Sequence, residues 1–154
     1  MESEVWILGA SGRSGRAIAA ELVSRGLTPV LVGRDAARLE AAAARAGRGR
    51  TVVAGSLEAT GAEIRRQRPA VVINTVGPFT TTAGPIAQAC LAGSDYVDLA
   101  NDAAAVLATL ALDQAAADAG QTVLTGCGFA AAWATPCVPG VAVPLDLEVA
   151  RCSR

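Results

Sequence analysis

The chain has 154 residues, 52% of them hydrophobic and 18% charged, with a formal net charge of −1, which predicts one domain with a real core and some apolar surface reserved for a partner. It contains no histidine, and all thirteen basic residues are arginine. That inventory excludes Ser-His-Asp and Cys-His catalysis, a His general acid, a Tyr-x-x-x-Lys dyad, a Schiff-base lysine and a Walker lysine.

Four cysteines, Cys90, Cys127, Cys137 and Cys152, form no C-x-x-C pair and read as reduced thiols, with no metal site expected. Aromatic residues are sparse and no basic stripe accompanies them, so nucleic-acid binding is not expected. No uncharged apolar run reaches the length of a membrane span; the nearest, Ala103 to Leu112, is bracketed by Asp102 and Asp113. The acidic start Met1-Glu2-Ser3-Glu4 runs directly into an apolar segment, which predicts no signal peptide and a cytoplasmic protein.

The first predicted strand is Val5 to Leu8. It is followed by Gly9, Gly12 and Gly15 and then by a helix from about Arg13 to Arg25, the layout of a strand, a tight turn and a helix N-terminus. Glycines there allow a sharp turn, close approach of a ligand and close packing of helix on strand. The unpaired N–H groups and the positive end of the helix dipole then face an anion, most often a dinucleotide pyrophosphate. Gly9, Ser11, Gly12, Arg13 and Gly15 are therefore candidate cofactor-binding residues. Ile18 and Leu22 supply the sheet-facing side of the helix, Glu21 and Arg25 pair on its outer face, and Gly26 ends it.

The second strand, Pro29 to Gly33, carries the apolar run of a buried parallel strand. Its tip, Gly33-Arg34, falls where the adenosine ribose of a dinucleotide lies. A guanidinium suits a 2′-phosphate, with Arg38 and Arg13 as further contributors, so the expected cofactor is NADP. Asp35 is the argument for the alternative, NAD, although ahead of Ala36 it also reads as the N-cap of a helix over 36–46 that ends at Gly47. The third strand, Thr51 to Ala54, leads into Gly55-Ser56-Leu57, where an adenine ring is commonly met; Ser56 is a further cofactor candidate. Thr60-x-x-Glu63 has the pattern of a capping box, which predicts a helix from there to Gln67.

The fourth strand, Ala70 to Thr75, ends in the loop Asn74-Thr75-Val76-Gly77-Pro78-Phe79 at the switch point of a doubly wound sheet. Val76, Gly77 and Pro78 are candidate cofactor contacts. A helix is expected over about Gly84 to Ala92, with Pro85 in its first turn. The fifth strand, Asp95 to Leu99, places Asp98 near its C-terminal end as the candidate catalytic residue, to orient a substrate or relay a proton. Asn101 follows, and Asp102 serves equally as the N-cap of a long helix from Ala103 to Ala119. The sixth strand is Gln121 to Thr125.

Taken together, V-W-I-L-G-A-S-G-R-S-G, L-V-G-R-D, V-I-N-T-V-G-P-F, Y-V-D-L-A-N-D and T-G-C-G-F resemble the N-terminal NAD(P)-binding domain of the saccharopine dehydrogenase-like reductases. The resemblance implies an α/β Rossmann fold, a doubly wound parallel sheet of strand order 3-2-1-4-5-6 with helices on both faces. It implies cofactor contacts at Gly9, Ser11, Gly12, Gly15, Arg34, Val76, Gly77 and Pro78, and places Asp98 near the nicotinamide and substrate. Relatives continue Y-V-D-L with a small pair and a glutamate, whereas this chain has Ala100-Asn101-Asp102.

The expected organisation is a cofactor-binding domain over residues 1–127 and an apolar, proline-containing tail over 128–154. The tail reads as the stub of a substrate domain, an aberrant C-terminus or a segment packing on a partner chain. Three functions stay open. The first is the NADP-binding domain of a reductase that transfers hydride to a C=N or C=C substrate, with most of the substrate site absent and a homodimer or further domain in contact. The others are an NADP(H)-sensing module without catalysis and an inactive truncated domain.

Overall fold

In the computed structural model, which describes residues 4–127, the apolar run Val5–Leu8 forms strand β1 and pairs in parallel on both sides. Alternation along it sends Trp6 and Leu8 to one face of the sheet and Ile7 to the other. All three are buried, so the strand is apolar throughout because both faces are covered.

Chain order runs β1, α1 (Arg13–Ser24), β2 (Val30–Gly33), α2 (Ala36–Ala46), β3 (Arg50–Val53), α3 (Leu57–Gln67) and β4 (Val71–Asn74). It continues with α4 (Phe79–Cys90), β5 (Asp95–Asp98), α5 (Ala103–Leu110), α6 (Asp113–Ala119) and β6 (Val123–Leu124). The six strands are parallel in the order β3-β2-β1-β4-β5-β6, the expected doubly wound arrangement. On one face Ile7 and Leu31 meet α1 and α2 through Ala19, Leu39 and Ala42. On the other, Trp6, Leu8, Val72 and Tyr96 meet α3 and α4 through Ile64, Ile86, Ala87 and Cys90. Small residues Ala83 and Ala105 then let α5 pack against α4.

Local signals account for the ends of several elements. Asp35 caps α2 by accepting from the Arg38 N–H at 3.0 Å, and Gly47 closes that helix in the left-handed region. Glu21 and Arg25 pair at 2.7 Å, Gly26 has φ of 83°, and Asp102 accepts from the Ala104 and Ala105 N–H groups ahead of α5. Ile18 and Leu22 pack against the core, with Gly15 and Ala19 buried between them.

Three helices depart from their expected bounds. The α3 helix begins at Leu57, not at the Thr60 box: Ser56 is its N-cap, accepting from Ala59 N–H at 3.0 Å, while the Thr60 hydroxyl donates back to Ser56 C=O at 2.9 Å. This earlier start brings Leu57, Gly61 and Ile64 to the core side. The α4 helix begins at Phe79, behind Pro78, so Pro85 lies inside it rather than in its first turn. Pro85 is exposed, and water can serve the carbonyl that its missing N–H would have paired. The expected long helix after Asp102 is two helices, broken where Leu112 turns into the main core cluster. The readings of residues 128–154, including Cys137 and Cys152, lie outside the described residues.

Gly15 and Gly61 differ in a way that stability measurements can read. A Cβ on Gly15 would lie 2.5 Å from the Gly9 carbonyl oxygen and 2.7 Å from Ala10 Cα, whereas one on Gly61 would make ordinary contact with Ala89 Cβ at 3.5 Å. Gly15→Ala is expected to destabilise by about 1–3 kcal/mol. Gly61→Ala, within α3, is expected to stabilise by about 0.5–1 kcal/mol. Chemical denaturation of both variants checks the opposite signs.

Burial and the nearby Asp95 charge push the Cys90 thiol up to about 12, from an ordinary 9.0. The folded chain keeps that proton after the unfolded chain has released it, so this contribution to stability is full below pH 9.0 and is lost progressively above it, towards pH 12. Burial raises the Tyr96 hydroxyl as well, which adds a loss of the same sign above pH 10.0. Unfolding free energy is therefore expected to fall between pH 9.0 and 10.0 in the parent chain, and to fall less steeply in Cys90→Ala.

Candidate functional site

The carboxyl ends of β1, β2 and β4 open into a cleft of about 640 Å³, at the point where the strand order reverses. Its middle is the glycine loop. Gly9 has φ of 75° and donates its N–H to Val32 C=O at 2.9 Å, while Gly12 N–H donates to Gly9 C=O at 2.8 Å. A Cβ at Gly9 would meet Thr75 Oγ1 at 2.9 Å and Val76 Cγ2 at 3.0 Å. The loop therefore lies flat against β4, and Arg16 ties it down by donating to Ser11 C=O at 2.9 Å.

Gly12 is the N-cap of α1, with no side-chain cap and no acidic residue in the first turn. The first helical bond there is Arg16 N–H to Gly12 C=O at 3.0 Å, so helix geometry leaves the N–H groups of Arg13, Ser14 and Gly15 without helical acceptors. A helix start that lacks its own anion and sits at a cleft fits a pyrophosphate.

On the β2 flank, Gly33 and Arg34 line the cleft. A Cβ at Gly33 would press on Leu39 Cδ2 at 3.2 Å, so glycine lets α2 close over the strand tip. Asp35 is turned to α2, bonded to Arg38 N–H and 3.9 Å from Arg38 Nε. Arg34 is exposed and makes no ion pair among the described residues. A free guanidinium beside a capped carboxylate fits a 2′-phosphate better than a bare ribose hydroxyl.

Of the residues singled out from sequence, Gly9, Ser11, Gly12, Arg34, Ser56, Val76 and Gly77 line the cleft. Ser56 does so with its hydroxyl already engaged as the α3 cap. Arg13, Gly15, Arg38 and Pro78 are not among the lining residues. Gly15 acts beneath the loop, where only glycine fits, and Pro78 starts α4. Asp98 does not reach the cleft: it is 0% exposed, with its carboxylate accepting from Tyr96, Ala100, Thr125 and Gly126.

Four further lining residues are Asn74, Thr75, Thr81 and Thr82. Thr75 Oγ1 donates to Leu8 C=O at 2.7 Å and stitches β4 to β1, and Thr82 Oγ1 donates to Val76 C=O at 2.6 Å and holds the loop onto α4. The signal for Asn74 was present in the sequence as a lone amide in an otherwise apolar strand. Thr82 carried none, because its role depends on α4 starting early.

These features define a Rossmann dinucleotide-binding domain. The description "Saccharopine dehydrogenase NADP binding domain" fits the matching family, over residues 5–124; the chain belongs to that family, and its cofactor is NADP. It is 32% identical over 136 residues to a protein named trans-acting enoyl reductase from Mycobacterium tuberculosis (strain ATCC 25618 / H37Rv), covering 83% of this chain and 32% of that protein. The protein of the same name from Mycobacterium leprae (strain TN) is 30% identical over 161 residues, 99% of this chain and 36% of that one. The chain thus spans about a third of the length of these relatives.

Among solved structures, apo saccharopine dehydrogenase (L-Glu forming) from Saccharomyces cerevisiae superposes with a TM-score of 0.64 at 20% identity, covering 82% of this chain and 27% of that one. A short-chain dehydrogenase from Sphingobium yanoikuyae in complex with NADPH gives 0.67 at 21%, covering 79% and 68%. Both are likenesses of fold.

Arg34→Ala is expected to weaken NADPH about ten- to a hundredfold, the loss of a charge-assisted pair, with little effect on NADH. Titration by nicotinamide fluorescence checks the difference, and equal losses for both nucleotides would remove Arg34 from the 2′-phosphate site.

Proposed function

We propose that this domain holds NADPH for a reductase that delivers hydride to a carbon–carbon double bond conjugated to a carbonyl, the enoyl class. The observation that carries the cofactor part is the free Arg34 guanidinium at one flank of a cleft whose middle is an uncapped helix start. Support for the substrate part comes from the enoyl reductases at 30–32% identity; the likeness to saccharopine dehydrogenase, at 20%, is of fold. NADPH, when bound, supplies the hydride.

The chain's own residues bind, orient and enclose. The α1 N-terminus and Gly12 take the pyrophosphate, Arg34 takes the 2′-phosphate, and Gly9 and Gly77 let the backbone come close to the ligand. The described lining residues offer hydroxyls, one amide and one guanidinium, and no carboxylate. Proton delivery to the reduced substrate is accordingly assigned to a hydroxyl, to water or to groups outside residues 4–127. The substrate-facing wall belongs in this reading to a second protomer or a further domain.

The test is cofactor oxidation with an α,β-unsaturated thioester panel and a cyclic imine panel, after binding has been measured. Oxidation is expected with the thioesters and not with the imines. Oxidation with imines alone would move the substrate to the C=N class. NADPH binding with no turnover on either panel would favour an NADP(H)-sensing module or a truncated domain without catalysis, and failure to bind NADPH would overturn the proposal as a whole.

A further inference from the structure

Beneath the β4 flank of the cleft runs a buried chain of polar side chains that the binding of phosphates does not use. Asp98 Oδ1 accepts from Ala100 N–H at 3.0 Å, Thr125 Oγ1 at 2.9 Å and Gly126 N–H at 3.0 Å. Asp98 Oδ2 accepts from the Tyr96 hydroxyl at 2.9 Å, and that hydroxyl accepts from Asn74 Nδ2 at 3.1 Å. Asn74 Oδ1 in turn accepts from Val76 N–H at 3.0 Å, at the cleft wall. Asn74, Tyr96 and Asp98 are each 0% exposed, so no water is available to repair a mispaired group.

The direction of this chain has one solution. An amide presents oxygen or NH₂ with nearly the same shape, and its partners decide which. Val76 N–H can only donate, so Asn74 must turn Oδ1 to it and Nδ2 to Tyr96. The tyrosine hydroxyl, having accepted there, must donate to Asp98, which as a carboxylate can only accept. Val76 N–H at one end and the Asp98 carboxylate at the other thus admit one orientation of Asn74 and Tyr96 that satisfies every group between them.

We propose that Asp98 is a positioning residue for the NADP cleft, acting through Tyr96 and Asn74 to hold the Val76–Gly77 edge against the cofactor. The inference rests on the cofactor reading above. It gives Asp98 a role at the site without contact with substrate, and it explains why a tyrosine and a carboxylate two apart on β5 are both buried at the sheet's carboxyl end.

The test reverses the chain. In Asp98→Asn the three donors to Oδ1 hold the new amide's oxygen in place, so its NH₂ faces Tyr96. The hydroxyl then faces an NH₂ on both sides, so either its own proton lacks an acceptor or the Asn74 oxygen turns to it and the Asn74 NH₂ turns against Val76 N–H; in both arrangements one buried donor is mispaired. Adding Asn74→Asp puts a pure acceptor between Tyr96 and Val76 and satisfies every group in the reversed direction. Two ligands are titrated on the full chain: NADPH, and adenosine 2′,5′-bisphosphate, which carries the phosphate suited to Arg34 but no nicotinamide.

Asp98→Asn is expected to weaken NADPH roughly tenfold, the effect of one mispaired buried hydrogen bond, and to leave the bisphosphate unchanged. The double variant is expected to regain NADPH affinity to within about threefold of the parent. Tyr96→Phe, which cuts the chain, is expected to show the same selective loss and no rescue by Asn74→Asp; it serves should Asp98→Asn fail to fold. Equal weakening of both ligands, or absence of rescue in the double variant, overturns the proposal. A parent chain that binds neither ligand overturns the cofactor reading itself, a result distinct from either.

Discussion

The close approach of α1 to the end of β1 is the contact on which the rest of the site depends. At Gly15 the helix backbone lies so near Gly9 and Ala10 that a methyl group would sit 2.5 Å from a carbonyl oxygen. Because the helix begins there, its unpaired N–H groups open at the sheet edge rather than over the sheet face. The same closeness presses the loop onto β4, where Thr75 bonds to Leu8, and so brings the β4 loop beside the first helix. A cleft between β2 and β4 exists because the loop after β1 takes so little room.

Around that contact the sheet is stabilised in two different ways. Towards β2 and β3 the cohesion is apolar: Leu31, Leu39 and Ala42 pack under α1 and α2, and area burial suffices. Towards β6 the pairing is short, since that strand has two residues, and polar groups help to join it to β5. Asp98 alone gathers β5, the turn to Ala100 and the exit of β6. A buried carboxylate with four donors is tolerable because its lone pairs are filled, and the directional bonds fix geometry in a way that apolar packing does not.

Much of this was legible because the signals were local. Val5–Leu8 and the glycines lie within a few residues of what they determine, and Asp35 and Gly47 bracket α2 at both ends. The misread starts came where two local signals competed. Ser56 and Thr60 both suit a cap, and the glutamate after Thr60 favoured the wrong one; Pro78 and Pro85 both suit a first turn. In each case the earlier residue won because it brings a fuller apolar stripe to the core, which is a tertiary preference. The break at Leu112 has no local marker in an alanine-rich run, since it arises from what Leu112 packs against. Asp98 was visible as a carboxylate at a strand end, but its orientation depends on Tyr96, Thr125 and Gly126, which a reading along the chain cannot align.

The choice between the two dinucleotides follows from the same economy of neighbouring residues. Asp35 and Arg34 are adjacent at the tip of β2, and either could address a ribose. A helix starting at Ala36 needs a cap, and aspartate is among the best residues for it; its carboxylate accepts from Arg38 N–H, and Asp35 is not among the residues that line the cleft. Arg34 is then the one charged side chain among the described residues that line the cleft. With Arg34 in its proposed role, selectivity for the phosphorylated ribose follows from how α2 begins, which would couple the stability of that helix to the identity of the cofactor.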